Sequence, residues 1–323
     1  MRHKTTLAFL ILAVASAAAF LHATESAKIE RTVEKTFPVS SGVTLSVETF
    51  GGNVCVEPGD VQSVRIVARQ VFPGAATDAE ADEISKSLDL VMEQSGNSVH
   101  ASSKYTGNTW RLWGSTPVYV SFEVTVPRAC DATLATSGGN VRAGDLTGSV
   151  QARTSGGNVT LGKIDGMVDA RTSGGNVTLA GCTHAAILKT SGGNVEAGPV
   201  AGNLQITTSG GHIKITRAEG AVHAHTSGGH IEADFARITA ECELGTSGGG
   251  MNVQLPKSSA LLLDAKTTAG HVRANDNLLA NLQTDTPADA KRKSRLSGKI
   301  NGGGPLVKLH TTGGNINVNL SEK

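Results

Sequence analysis

Three cations recur at a fixed interval: Arg153, Arg171 and Lys189 stand eighteen residues apart, followed at the same step by Thr207 and His225. Cations in register on neighbouring strands can meet an anionic glycan or lipid head group, while repelling one another only as far as solvent screening allows. Asp169 lies two residues before Arg171 and offsets part of that charge. Histidines form a second constellation, with His212 and His230 in one column and His223 and His225 beside it. Stacked imidazoles can bind a transition metal, but this set has no defined ligand geometry, so neither a metal nor a cofactor is expected. Glu196, Lys214 and Glu232 alternate in sign at one repeat position and read as a stability ladder. Asp145, Asp165 and Glu219 fall at corners of separate repeats and are not expected to converge, whereas glycoside hydrolysis needs two facing carboxylates. The recurring serine lacks a GxSxG elbow and is repeated where a nucleophile is needed once. No catalytic residue is expected.

The element that positions these residues is a repeat. TSGG begins at Thr136, Thr154, Thr172, Thr190, Thr208 and Thr226, always eighteen apart, and again at Thr246 after twenty. Looser copies are TFGGNV from Thr49, TTAGHV from Thr267 and TTGGNI from Thr311. A fixed period of this size is the signature of a solenoid. Counting each Thr as zero, apolar residues fall at positions five and seven (Val159 and Leu161, for example) and at fourteen and sixteen (Val168 and Ala170). That period-two alternation predicts two short strands per repeat with one face inward. Position ten reads Leu146, Ile164, Cys182, Val200, Ala218 and Ala236; positions fourteen and sixteen end on Ala240 and Cys242.

The Ser-Gly-Gly-Asn phrase is read as a bend, with glycine supplying positive φ and Asn tolerating left-handed backbone. Stacked Asn140, Asn158, Asn176 and Asn194 would bond amide to amide. One repeat cannot bury its apolar face alone, so stability must come from stacking. The nonapeptide calcium motif is excluded because its aspartate is missing. Ice binding is excluded because alternation turns the regular Thr inward.

Residues 24–130 are looser, with strand-like segments and one short helix over roughly 77–88; they are expected to form irregular first coils and a cap. Residues 131–323 are expected to form the regular coils, with a loop insertion at about 275–304 that holds the basic cluster Lys291, Arg292, Lys293 and Arg295. Trp110 and Trp113 lie in YTGNTWRLWGSTPVY, either a partner platform or packing for the cap. The C-terminal strand NINVNLSEK has little sequence left to cover it, which raises end-to-end self-association.

The first residues bound the compartment. Arg2, His3 and Lys4 precede an apolar run and small residues suited to cleavage, so residues 1–23 read as a signal peptide, with no membrane span in the mature chain. The expected location is exported: periplasmic, cell-surface or secreted. A net charge of +1 over 323 residues gives no general attraction to nucleic acid. The four cysteines show no CxxC spacing; a Cys55–Cys130 bridge is conceivable in an oxidising compartment.

The order FPVSSGVTLSVETFGGNV, a helix, VSFEVTVPRACDATLATSGGNV, the TSGGNV coils and GPLVKLHTTGGNINV resembles exported bacterial β-strand-repeat proteins regarded as adhesin-like and of unknown function. The resemblance covers nearly the whole mature chain and implies an adhesin-like role, with no catalytic residues to carry over. The expected architecture is all-β, a single parallel β-solenoid, right-handed, with eighteen-residue coils; apolar spacings of five, six and seven do not match a left-handed hexapeptide coil. The expected function is a non-enzymatic binding or scaffolding module of the cell envelope whose partner is an anionic glycan or other envelope component. Its partner-binding residues are Arg153, Arg171, Lys189, Trp110 and Trp113. The rivals are a carbohydrate-active β-helix enzyme and an accessory factor in envelope-stress signalling.

Overall fold

The computed structural model describes residues 28–107, 117–284 and 294–321. Residues 1–23, Trp110, Trp113 and most of the basic cluster lie outside them. In the strand Val150–Thr154, Val150, Ala152 and Thr154 are buried while Arg153 faces out. In Val159–Asp165, Val159, Leu161 and Ile164 are buried. Each repeat thus contributes one strand to each of two sheets, every strand turning alternate side chains inward. Both sheets have fourteen strands, and the inward residues merge into one continuous aliphatic core.

The eighteen-residue step is the register of the sheets. Val141, Val159, Val177, Val195, Ile213 and Ile231 are successive parallel partners, each at most 1% exposed. In the other sheet Ala152, Ala170, Leu188, Ile206 and Ala224 do the same. The twenty-residue repeat shifts the assignments beyond this point. Ala218 pairs Phe235 rather than Ala236, with a register shift after Ile215 and Arg217 in the left-handed region at φ 58°. Leu244, not Cys242, stacks on Ala224. The two extra residues move Cys242 to the position expected for Ala240, and Phe235 and Ile238 fill the core there.

The ends depart from a simple parallel stack. The coil formed by Val43–Thr49 and Val54–Gly59 lies between Ser98–Tyr105 and Tyr119–Pro127 on its outer side and Cys130–Thr136 and Val141–Ala143 on its inner side. Ile29–Pro38, Ser63–Phe72 and Leu88–Ser95 add antiparallel strands outside it. At the other end, Leu306–Thr311 and Ile316–Leu320 insert between the coil of Cys242–Thr246 and Met251–Leu255 and that of Leu261–Thr267 and Val272–Ala274. The C-terminal strand is therefore interior, not the open edge its position in the sequence suggests. The sheet edges beyond it are the three-residue Val272–Ala274 and the two-residue Leu282–Gln283, and strands this short offer little template for pairing.

The expected helix is Asp78–Ser85, capped by the Thr77 side chain accepting from the Glu80 N–H. A second helix, Asp276–Asn281, capped by Asn275, packs Leu278 inward against the last coils; it is too short to announce itself by periodicity.

The corner chemistry also differs from expectation. The second glycine of each TSGG has no positive φ; only Gly42, Gly96, Gly148, Gly302 and Gly303 do among the described glycines. It is required by close approach instead. A Cβ on Gly157, Gly175, Gly193, Gly211 or Gly229 would overlap the carbonyl of the equivalent glycine one coil back. The corner Thr completes the joint: Thr172 Oγ1 donates to the Gly157 carbonyl at 2.8 Å and accepts the Gly175 N–H at 3.3 Å. This Thr-to-Gly bond recurs from Thr136 onto Gly52, from Thr311 onto Gly249 and from Thr267 onto Gly314. The loose copies are thus full members of the stack, found far along the chain by the same joint.

Candidate ligand-binding face

The residue preceding each corner Thr faces outward on the second sheet. Arg153, Arg171, Lys189 and Thr207 are successive partners there, so the sequence-predicted cations are brought into one line about 4.8 Å apart. They border an open groove of ≈ 550 Å³ that also exposes Ser155, Ser173, Ser191 and Ser209. Among the described residues these four hydroxyls make no protein hydrogen bond, leaving a ladder of donors beside a ladder of cations. Asp169 holds Arg171 through both oxygens at 2.7 and 2.9 Å and lies 3.8 Å from Arg153. Lys189 has no ion pair among the described residues. The line therefore keeps an excess of positive charge although the whole chain is nearly neutral.

The line continues, beyond Gly245 through strands that sequence order could not follow. Thr207 pairs His225, His225 pairs Gly245, Gly245 pairs His310, His310 pairs Lys266, and Lys266 pairs Arg295. Nothing acidic occurs in this column from Arg153 to Arg295. The neighbouring column holds Asp169, Glu243 and Asp264, each engaged by a cation: Arg171, then Lys308 at 2.7 Å, then Arg295 at 3.0 Å. The Lys308 ammonium holds the Glu243 carboxyl below the usual carboxylate range, and Glu243 in turn raises Lys308. His310 and Lys266 were missed because they come from strands that stack out of sequence order, and Gly245 because it carries no side chain to draw attention. The available signal was the residue before each corner Thr, including the loose copies.

The other candidates resolve differently. Asp145, Asp165 and Glu219 do line one groove of ≈ 480 Å³, floored by Leu146, Ile164, Cys182 and Val200, contrary to the expected separation. Each carboxylate is nonetheless tied to its own corner: Asp145 to the Lys163 N–H at 2.7 Å, Asp165 to Thr183 at 2.6 Å, Glu219 to Arg237 at 3.2 Å. Glu196, Lys214 and Glu232 are neighbours on adjacent strands, but form no ion pair among the described residues. His212 and His230 stack with centroids 5.2 Å apart. Their Nδ1 atoms accept the backbone N–H groups of His230 and Gly250 at 2.9 and 2.8 Å, the task of Asn Oδ1 elsewhere in the ladder. Among the described residues no three His, Cys, Asp or Glu side chains are grouped to hold a metal. All four cysteines are free. Cys130 is buried, which pushes its thiol up to about 12, while Cys55 lies on the other sheet, 3.6 Å from the Glu57 carboxylate. No described helix is long and apolar enough to cross a membrane.

Solved structures similar to this chain include a candidate cell adhesion protein from Clostridium sporogenes (10% identity, 90% of this chain and 100% of the other, TM-score 0.26). A candidate adhesin from Bacteroides fragilis matches at 12% identity over 90% and 97% of the two chains, with a TM-score of 0.37. A candidate lipid-binding protein from Parabacteroides distasonis matches at 13% over the same shares, with a TM-score of 0.42. No curated protein matches the chain. The Toastrack DUF4097 family model matches residues 44–319, from the coil held between two others at the N-terminal end to the inserted C-terminal strand, and the chain belongs to that family.

Proposed function

We propose that this protein is an exported, non-enzymatic binding or scaffolding module of the bacterial cell envelope, and that its outward column of cations takes an anionic envelope component. The observation that carries the reading is the alignment of Arg153, Arg171 and Lys189 beside the unpaired hydroxyls of Ser155, Ser173, Ser191 and Ser209. Folding does not need this arrangement, because like charges at strand spacing repel. The scaffold is read as one β-solenoid of eighteen-residue coils, supported by the i to i+18 pairings. Its hand is right, as is usual for crossovers between parallel strands of one sheet. The test is Arg153→Glu combined with Arg171→Glu. Binding to anionic envelope fractions should fall while the melting temperature holds; unchanged binding refutes the assignment.

A further inference from the structure

Within the same column, Gly245 removes one side chain between two histidines. His225 and His310 stand two strands apart, about 9.6 Å, on either side of it. The gap opens into a cavity of ≈ 360 Å³ lined by Gln205, Thr207, His223, His225, Glu243, Gly245 and His310. A Cβ on Gly245 would lie 3.0 Å from His225 Nδ1, so the imidazole already leans over the gap. This subsite is collinear with Arg153, Arg171 and Lys189 through Thr207.

We propose that the gap at Gly245 is an acid-dependent anion subsite, which extends the cation column along one linear polyanionic glycan chain carrying a carboxylate on each sugar. The inference rests on the functional reading above and adds to it the ligand class and the pH response. A chain is favoured over a planar anionic surface by the shape of the charge. The column from Arg153 to His310 is one residue wide and about 29 Å long, six strand spacings, and the carboxylates beside it, Asp169 and Glu243, are each held by a cation. A filament with one carboxylate per unit can set successive charges along that single file, which a planar array of anions cannot match.

Every charged group facing the two imidazoles bears on the pH response. The strand below His225 presents Gln205 and Thr207, which do not titrate. His223 lies on the same strand. The strand above presents Glu243, which is hydrogen-bonded to Lys308 and also interacts with His223 and His225. Beyond His310 stands Lys266. Histidine gains its proton between neutral and mildly acid pH, so acidification adds up to three cations to a face whose fixed charges do not change.

The test is titration of the full chain with polygalacturonate oligomers at about pH 7.5 and about pH 5.5 at constant ionic strength, beside neutral dextran and anionic phospholipid vesicles. Binding should tighten about three- to tenfold at the lower pH, and dextran should not bind. In the variant that combines His223→Gln, His225→Gln and His310→Gln the pH ratio should collapse to one at an unchanged melting temperature. Arg153→Gln with Arg171→Gln and Lys189→Gln should weaken binding at both pH values and keep the ratio. A wild-type ratio of one, or a ratio that survives loss of all three histidines, overturns the subsite while leaving the fixed column standing. Binding to vesicles but not to the polymer overturns the glycan assignment alone. Binding to neither removes both readings.

Discussion

Asn158 and Asn176 are joined side chain to backbone: Asn158 Oδ1 accepts the Asn176 N–H at 2.8 Å. The same bond runs from Asn53 to Asn140, and from Asn194 to His212. The side-chain amides do not bond to each other as the stacking alone suggested. What each position needs is an acceptor of the right reach, which explains why histidine substitutes at 212 and 230.

His212→Asn should therefore fold as well as the parent, within about 0.5 kcal/mol. His212→Leu leaves the His230 N–H without its partner and should cost about 1–2 kcal/mol. Chemical denaturation of the two variants distinguishes an acceptor role from a packing role.

The two glycines of one corner should behave oppositely. A Cβ on Gly228 meets the Gly210 carbonyl oxygen at 3.5 Å, an ordinary contact, whereas a Cβ on Gly229 overlaps the Gly211 carbonyl. Gly228→Ala should change stability by less than about 1 kcal/mol, and Gly229→Ala should cost about 3 kcal/mol or more. Similar thermal midpoints for the pair would contradict the close-approach account.

Thr172→Val keeps the shape of a buried side chain but removes the hydroxyl and so orphans both its partners, the Gly157 carbonyl and the Gly175 N–H. The expected loss is about 2–4 kcal/mol, one desolvation penalty for each orphaned group. Thr172→Ser keeps both bonds and should lose about 1 kcal/mol for the missing methyl. Urea midpoints with an unchanged m-value would measure the difference.

The Glu243–Lys308 pair predicts a pH-dependent contribution to stability. The Glu243 carboxyl is depressed in the folded chain from its ordinary 4.5, so its contribution is full above that value and is lost as pH falls through the lower, folded value. Lys308 is raised from 10.5, so its contribution is full below that value and is lost as pH rises through the higher one. The Glu243→Gln variant should be less stable than the parent at neutral pH, and the gap should close progressively below pH 4.5. A constant gap down to strong acid would show that the pair is not the cause.

Four thiols should be titratable in denaturant, and in the folded protein Cys55 alone should react. Cys130, Cys182 and Cys242 are at most 5% exposed, and burial raises their thiols. Partial burial and then Glu57 raise Cys55 as well, so its labelling should be slow at neutral pH. Recovery of only two thiols on unfolding would reveal a disulfide.

Local chemistry was legible where the period held. Alternation and the eighteen-residue step placed Val159, Val177 and Val195 in one buried file and Arg153, Arg171 and Lys189 in one exposed file. What could not be read was which coil lies on which once the step is broken. Thr311 stacks on Thr246 across 65 residues, and Thr136 stacks on Thr49 across 87; in both cases a long excursion of the chain separates neighbours that share the corner joint. The adjacency of Gly245 and His310 was hidden for that reason. The insertion that makes one repeat twenty residues long moved Cys242 by one inward position, because a strand accepts a shift of two without turning its faces over.

Because the first and last coils are each clasped between two others, the middle of the tower carries neither the start nor the finish of the assembly. Eighteen-residue cassettes could be gained or lost between Thr136 and Thr226 by unequal duplication, leaving both clasps untouched. Each such event would lengthen or shorten the charged line by one strand spacing. The molecule is in effect a ruler whose graduations evolution can add or remove.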